Sequence, residues 1–183
     1  MHKLRPTLWR TCRIIAGETR LQFLWNLFDH GELCVIEMAR MTTSSAHNAT
    51  TQLRALNARG LITFRREKMR VIYRAEANQL VDNSPELLAA LRTCHEQSVS
   101  FETVIRMATA FTHERRIEII RALDISKQTL CGLLDSTNMN SSPLSRHLRK
   151  LQDRGFVRQV NGVYRIATPG NPLGRTLLKI VRG

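Results

Sequence analysis

The chain has 183 residues, 43% hydrophobic and 23% charged, with 28 lysines and arginines against 15 acidic residues and a net charge of +13. That length allows one domain or two small ones with a real core, and the composition excludes a disordered polyelectrolyte. So basic a chain, with a pI near 10.9, points to a polyanionic partner, either nucleic acid or an acidic membrane surface. No run of about 18 apolar residues is present to span a bilayer. The opening MHKLRPTLWRTCRII lacks the apolar stretch and small-residue cleavage site of a secretory signal. Cysteines 12, 34, 94 and 131 form no CxxC pair, so reduced thiols are expected, with no zinc ribbon and no disulfide framework.

The first 16 residues predict a helix, with Leu4, Leu8, Trp9, Cys12 and Ile15 as its apolar positions. Beyond it one pattern is written twice. GETRLQFLWNLFDHGELCVIEMARMTTSSAHNATTQLRALNARGLI is matched by HERRIEIIRALDISKQTLCGLLDSTNMNSSPLSRHLRKLQDRGFV. Arg20-Leu21, Leu24 and Leu27 correspond to Arg116-Ile117, Ile120 and Leu123. Leu53, Leu56, Gly60 and Leu61 correspond to Leu148, Leu151, Gly155 and Phe156, and both copies reach a Tyr-Arg, at Tyr73-Arg74 and Tyr164-Arg165.

Each copy predicts the same elements. A helix with an i, i+3, i+6 apolar stripe (Leu21, Leu24, Leu27) leads to a short helix over 34–40 or 129–135. A Thr/Ser/Asn-rich turn then supplies N-cap candidates Ser45 and Asn140. A longer helix comes next, its inner stripe formed by Ala49, Leu53 and Leu56 or by Leu144, Leu148 and Leu151. Pro143 falls in the first turn, where its missing N–H removes no helical bond. Gly60 and Gly155 suit left-handed C-terminal caps. Two strands around a basic or Gly-containing turn, TFRREKMRVIYR and RQVNGVYRI, close each unit.

The fold class expected is mainly α with small β-hairpin wings (α+β). It comprises two tandem winged helix-turn-helix units joined and packed by extra helices. Residues 1–82 form the first unit with its leading helix. Residues 83–183 hold linker helices, the second unit and a closing helix. SPELLAALRTCHEQ and SFETVIRMATAFTHE read as the linker helices, with Ser84 and Ser100 as caps, and NPLGRTLLKIVRG as the closing helix. By count, the excess of basic over acidic residues is shared by both units, so no single tail carries it.

Residues 17 to 75 resemble the ArsR/SmtB-type winged-helix transcription regulators. Residues 111 to 167 resemble them more loosely, most clearly at SSPLSRHLRKLQDRGFV. The resemblance implies a DNA-binding regulator, commonly a repressor and usually a homodimer. Two units in one polypeptide depart from the one-unit pattern, leaving a single-chain pseudo-dimer or a homodimer as the assembly. The partner expected is double-stranded DNA, with no membrane and no cofactor, and the location cytoplasmic, at the nucleoid.

In such a fold the recognition helix enters the major groove. Opposite the inner stripe, 100° per residue places His47, Thr51, Arg54 and Ala58 outward, with Asn48 beside them. The second copy presents Ser142, Arg146, Arg149 and Asp153, with Lys150 alongside. Arg pairs with guanine O6 and N7, and Asn with adenine, so an asymmetric site is expected. Arg65, Arg66, Lys68 and Arg70 on the first hairpin are placed for phosphates or a minor groove. Arg158 and Arg165 leave the second wing weaker.

Metal-sensing members of the family carry an ELCVC-type box on the short helix. Here Glu32-Leu33-Cys34-Val35-Ile36-Glu37 keeps one cysteine and replaces the other by Ile36, too few soft ligands for a tight site. In the second copy Thr129 takes the Cys34 position and Cys131 that of Ile36. No metal site is expected, and Cys34 reads as a core residue. Cys12 and Cys94 lie on helices that pack between units, so a thiol-based redox-sensing regulator stays open as an alternative. A winged-helix scaffold binding an acidic protein is the other alternative. Few aromatics make RNA stacking the weaker choice. No phosphate loop, HExxH or nucleophile–base set is present, so no enzyme is expected.

Overall fold

The computed structural model describes residues 6–183. Its elements are α1 (Leu8–Ile15), α2 (Glu18–His30), β1 (Glu32–Cys34), α3 (Val35–Met41), α4 (Ala46–Asn57), β2 (Thr63–Glu67), β3 (Arg70–Arg74) and α5 (Ser84–Glu96). They are followed by α6 (Phe101–Ala110), α7 (Glu114–Ile125), β4 (Gln128–Thr129), α8 (Leu130–Thr137), α9 (Ser141–Asp153), β5 (Val157–Val160), β6 (Val163–Ile166) and α10 (Pro172–Arg182). One element order therefore runs twice, α1 to α5 and α6 to α10. Both sheets are antiparallel and three-stranded, ordered β1-β3-β2 and β4-β6-β5. The fold is α+β, of winged-helix type.

Apolar periodicity sets the long helices. Ala49, Leu53 and Leu56 on α4, and Leu144, Leu148 and Leu151 on α9, are buried almost completely. Each buried Leu contributes about 1.5–3 kcal/mol. Ser45 caps α4, its hydroxyl accepting from the Asn48 N–H at 3.1 Å. Asn140 caps α9 through extended backbone alone. Both helices end in the same left-handed turn. Gly60 N–H donates to Asn57 O while Leu61 N–H donates to Leu56 O; Gly155 and Phe156 repeat the pattern on Gln152 and Leu151. Positive φ at Gly60 and Gly155 makes that geometry inexpensive. The second wing turns on Asn161-Gly162, both left-handed, the pairing that matches strand twist.

Three expectations change. The short helices begin one residue later than predicted, because Cys34 and Thr129 are N-caps that end short strands. Glu32, Leu33 and Cys34 pair with Arg74, Tyr73 and Ile72, adding a third strand to the expected hairpin. Two or three residues are too few for alternation to reveal a strand. Ser84 is not the cap of α5: Asn83, at φ 63°, holds that position. The Ser84 hydroxyl instead donates to the buried Gly60 carbonyl, tying the helix to the turn after α4. The leading helix starts at Leu8; Leu4 lies outside the described residues.

The helices outside the winged units join the halves. α1 packs on α6, and α5 on α10, so equivalent helices of the two copies meet each other. α10 also covers α6 and α7, and α2 touches α6. The result is one buried cluster running from Cys12 to Val181. Phe111 meets Phe156 edge-on at 4.7 Å in the second half.

Candidate nucleic-acid interface

The caps and inner stripes aim the outer faces of α4 and α9. His47, Thr51 and Arg54 are exposed on α4, with Asn48 half-buried beside them. On α9, Ser142, Arg146, Arg149 and Lys150 are all exposed. Ser142, Ser145, Arg146 and Arg149 line a shallow open depression. Ser145 was missed from sequence, although its spacing from Ser142 and Arg149 places it on the same helical face. Arg54, Arg146, Arg149 and Lys150 use no side-chain nitrogen in a hydrogen bond or ion pair among the described residues. These cations are ready for an external anion.

The first wing is less uniform than its sequence. Arg65 is held by Glu32 at 2.8 Å and Glu67 at 2.9 Å, since β1 pairs with β3 and brings Glu32 within reach across that strand. The Arg65 hydrogen bond, assisted by the charges of Arg65 and Arg74, keeps the Glu32 carboxyl below its ordinary range. Arg74 is paired with Glu76. Arg66, Lys68 and Arg70 are exposed and, among the described residues, make no ion pair. Met69 stands fully exposed at the tip between them. On the second wing Arg158 is exposed, Arg165 is half-buried, and the tip carries no charge.

Behind α4 and α9 lie two arginines at matching positions of the copies. Arg20 donates from Nε to Ile14 O at 2.6 Å and from NH2 to Arg13 O at 3.2 Å, closing the end of α1. Its NH1 donates to Gln52 Oε1 on α4 at 2.9 Å. Arg116 closes the end of α6 in the same way. It donates to Ala110 O at 2.5 Å, Thr109 O at 3.1 Å and the Thr112 hydroxyl at 2.7 Å. Arg116 is only 4% exposed, and burial, with Arg154 nearby, lowers its pKa to about 10. Neither role was anticipated. The signal was present, as a charged residue placed identically beside two apolar stripes.

Where α4 offers Gln52, α9 offers His147. Its ring lies 4.7 Å from that of His113, the N-cap of α7, whose ring accepts from the Arg115 N–H. The buried His147 Nδ1 has no partner. Burial first, then His113, Arg116, Arg146 and Lys150, push its pKa down to about 4. This imidazole is neutral at physiological pH.

The thiols show a different chemistry. Cys34 is buried, and its N–H donates to the Glu37 carboxylate at 2.7 Å; Ile36 points outward, 57% exposed. No group of three or more His, Cys, Asp or Glu placed to hold a metal occurs among the described residues. Cys12 and Cys94 are free and buried. Burial raises both thiol pKa values, against opposing effects of Arg116 on Cys12 and of the Leu173 N–H on Cys94. Each has an arginine within electrostatic reach, Arg116 or Arg175, but is buried, without the accessible setting of a reactive thiolate.

No helix among the described residues is long and apolar enough to cross a membrane. Residues 113–159 match the family model described as bacterial regulatory protein, arsR family. The matched stretch runs from the cap of α7 through α8 and α9 into β5, and so contains the cationic helix. It falls on the copy whose motifs carried the looser resemblance; residues 17 to 75 lie outside it. The similarity supports a DNA-binding transcriptional regulator, a class that binds duplexes rather than turning over a substrate.

Proposed function

We propose that the chain is a sequence-specific double-stranded DNA-binding regulator that presents two recognition helices, α4 and α9, from a single polypeptide. The observation that carries the reading is the pairing of equivalent helices, α1 with α6 and α5 with α10. A two-fold regulator joins its subunits through the same surface on each side, and the pairing of α1 with α6 and of α5 with α10 within one chain supports such an arrangement. His47, Asn48, Thr51 and Arg54 address one half-site. Ser142, Arg146, Arg149 and Lys150 address the other, and Arg66, Lys68 and Arg70 reach the backbone beside the first. Residues 1–82 hold the first winged unit with its leading helix and residues 83–183 the linker helices, second winged unit and closing helix, so that α5, the first copy's counterpart of α10, opens the second stretch. The location is cytoplasmic at the nucleoid, and the role is repression, as the resemblance implies.

Selecting bound duplexes from a random pool, with the mass of the complex measured in parallel, tests this. The expected result is one chain per duplex and two dissimilar half-sites about 10 bp apart. A palindromic site bound by two chains rejects the single-chain arrangement. No enriched sequence rejects the DNA-reading function.

A further inference from the structure

Asn48 lies in the first turn of α4, half-buried beside the exposed face of His47, Thr51 and Arg54, and its amide is not free to choose its orientation. An amide presents an oxygen or an NH2 to its neighbour, and the hydrogen-bond network decides which. The network here begins at Arg20, whose guanidinium has five donors and no acceptor. Gln52 therefore faces Arg20 with its oxygen, Oε1, at 2.9 Å. Its NH2 is then turned toward α4's first turn and donates to Asn48 Oδ1 at 3.0 Å. With Oδ1 engaged inward, the Asn48 NH2 carries no hydrogen bond among the described residues.

The first link is built in. Arg20 is anchored by the carbonyls of Ile14 and Arg13 at the end of α1. Its head occupies the space a Cβ would fill at Gly17, where any side chain would collide with the guanidinium. The second copy has no such chain. By the alignment of Leu53 with Leu148, His147 replaces Gln52 and Pro143 replaces Asn48. Arg116 spends its donors on Thr109, Ala110 and Thr112.

We infer that Arg20 and Gln52 are positioning residues that make Asn48 a donor-only reader, so that the α4 half-site carries a guanine or thymine at the position Asn48 meets. Guanine shows N7 and O6 and thymine shows O4 in the major groove, acceptors without a donor. Adenine and cytosine each place an amino group there. The two-point pairing of Asn with adenine needs an outward oxygen, which the relay withholds. This inference rests on the DNA-reading function and adds to it the polarity of one contact and the residues that set it.

Gln52→Glu reverses the relay without changing its size. The introduced carboxylate accepts from Arg20 and has only acceptors left, so Asn48 must turn its NH2 inward and its oxygen to the groove. Duplex selection from a random pool, run on the wild type and on Gln52→Glu, is the test. One position of the α4 half-site is expected to change from guanine or thymine to adenine or cytosine, by about tenfold in relative enrichment. The α9 half-site and the salt dependence stay as they were. Asn48→Asp, which also presents an outward acceptor, is expected to shift the same position in the same direction. An unchanged preference in both variants overturns the inference while leaving the DNA-reading function intact. A wild-type chain that enriches no sequence overturns both. The relay has its own readout without DNA: the Gln52 side-chain amide resonances are expected to move in Asn48→Ala, and resonances indifferent to that change overturn the relay alone.

Discussion

The helices α4 and α9, proposed above to read DNA, share a frame and differ in almost everything mounted on it. Both have three buried residues in register and the same glycine turn at their ends. Yet His47, Thr51 and Arg54 on α4 stand where Ser142, Arg146 and Arg149 stand on α9, so one outward position alone keeps its chemistry. Beneath α4 lies a hydrogen-bonded chain of Arg20, Gln52 and Asn48. Beneath α9 lie two imidazoles within reach of several cations. Backbone geometry fixes where a side chain reaches the duplex, and the layer behind it fixes what it offers there. On this reading α9 supplies mostly electrostatic attraction and α4 mostly discrimination.

The largest effect that separates the halves is expected in stability. Arg116 is buried with three acceptors depending on it, whereas Arg20 is half-exposed and water can replace part of its bonding. Arg116→Leu leaves buried carbonyls unpaired and is expected to cost about 2–4 kcal/mol. Arg20→Leu is expected to cost about 1–2 kcal/mol, for the same reason with solvent in reach. Denaturant midpoints of the two variants measure the difference. Equal losses would mean that the two clamps are energetically alike and that their unequal burial does not matter.

Next in size is the division between the reading helices. Arg146→Ala with Arg149→Ala removes two unpaired cations from α9 and is expected to weaken duplex binding about 100-fold, from about 1–3 kcal/mol for the loss of each arginine contact. Arg54→Ala on α4 is expected to cost about tenfold on the same basis. Titration at fixed salt measures both. A loss at Arg54 that equals the α9 double change would reverse the assignment of affinity to α9.

The sequence disclosed the frame because the frame is periodic. Leucine stripes, the glycines after each helix and the repeated Tyr-Arg are local signals, and they placed α4, α9 and both wings. It missed β1 and β4, since strands this short exist only through their pairing with β3 and β6. That omission mattered for the interface: Glu32 reaches Arg65 through β1, so the basic run at 65–70 has one member already neutralised by carboxylates. The layer behind the helices was also illegible. Arg20 and Gln52 are 32 positions apart, and nothing local to either marks them as partners. Likewise His113 and His147 meet only because α7 and α9 cross. Ser84 carried a plausible cap signal, but Asn83 tolerates the left-handed backbone and the serine hydroxyl found a carbonyl 24 residues back.

The smallest expected effect tests the imidazoles beneath α9. The folded state holds His147 at about 4, against about 6.5 for an ordinary imidazole. Between those values the unfolded chain binds the proton more readily, so acid favours unfolding there. The contribution of His147 to the pH profile is then flat above about pH 6.5, falls as pH drops toward about 4, and levels below it. Burial is the first cause, and His113, Arg116, Arg146 and Lys150 add to it in opposing protonation of the ring. His147→Gln installs the residue that the first copy uses at this position and removes the titration. Melting temperatures from about pH 7 to about pH 4 are expected to fall less steeply in His147→Gln than in the wild type. The carboxylates common to both proteins give the background slope, so the difference between the two curves belongs to the imidazole. Parallel curves would show that the ring titrates normally, so that water reaches it and screens the charges around it more than its burial implies.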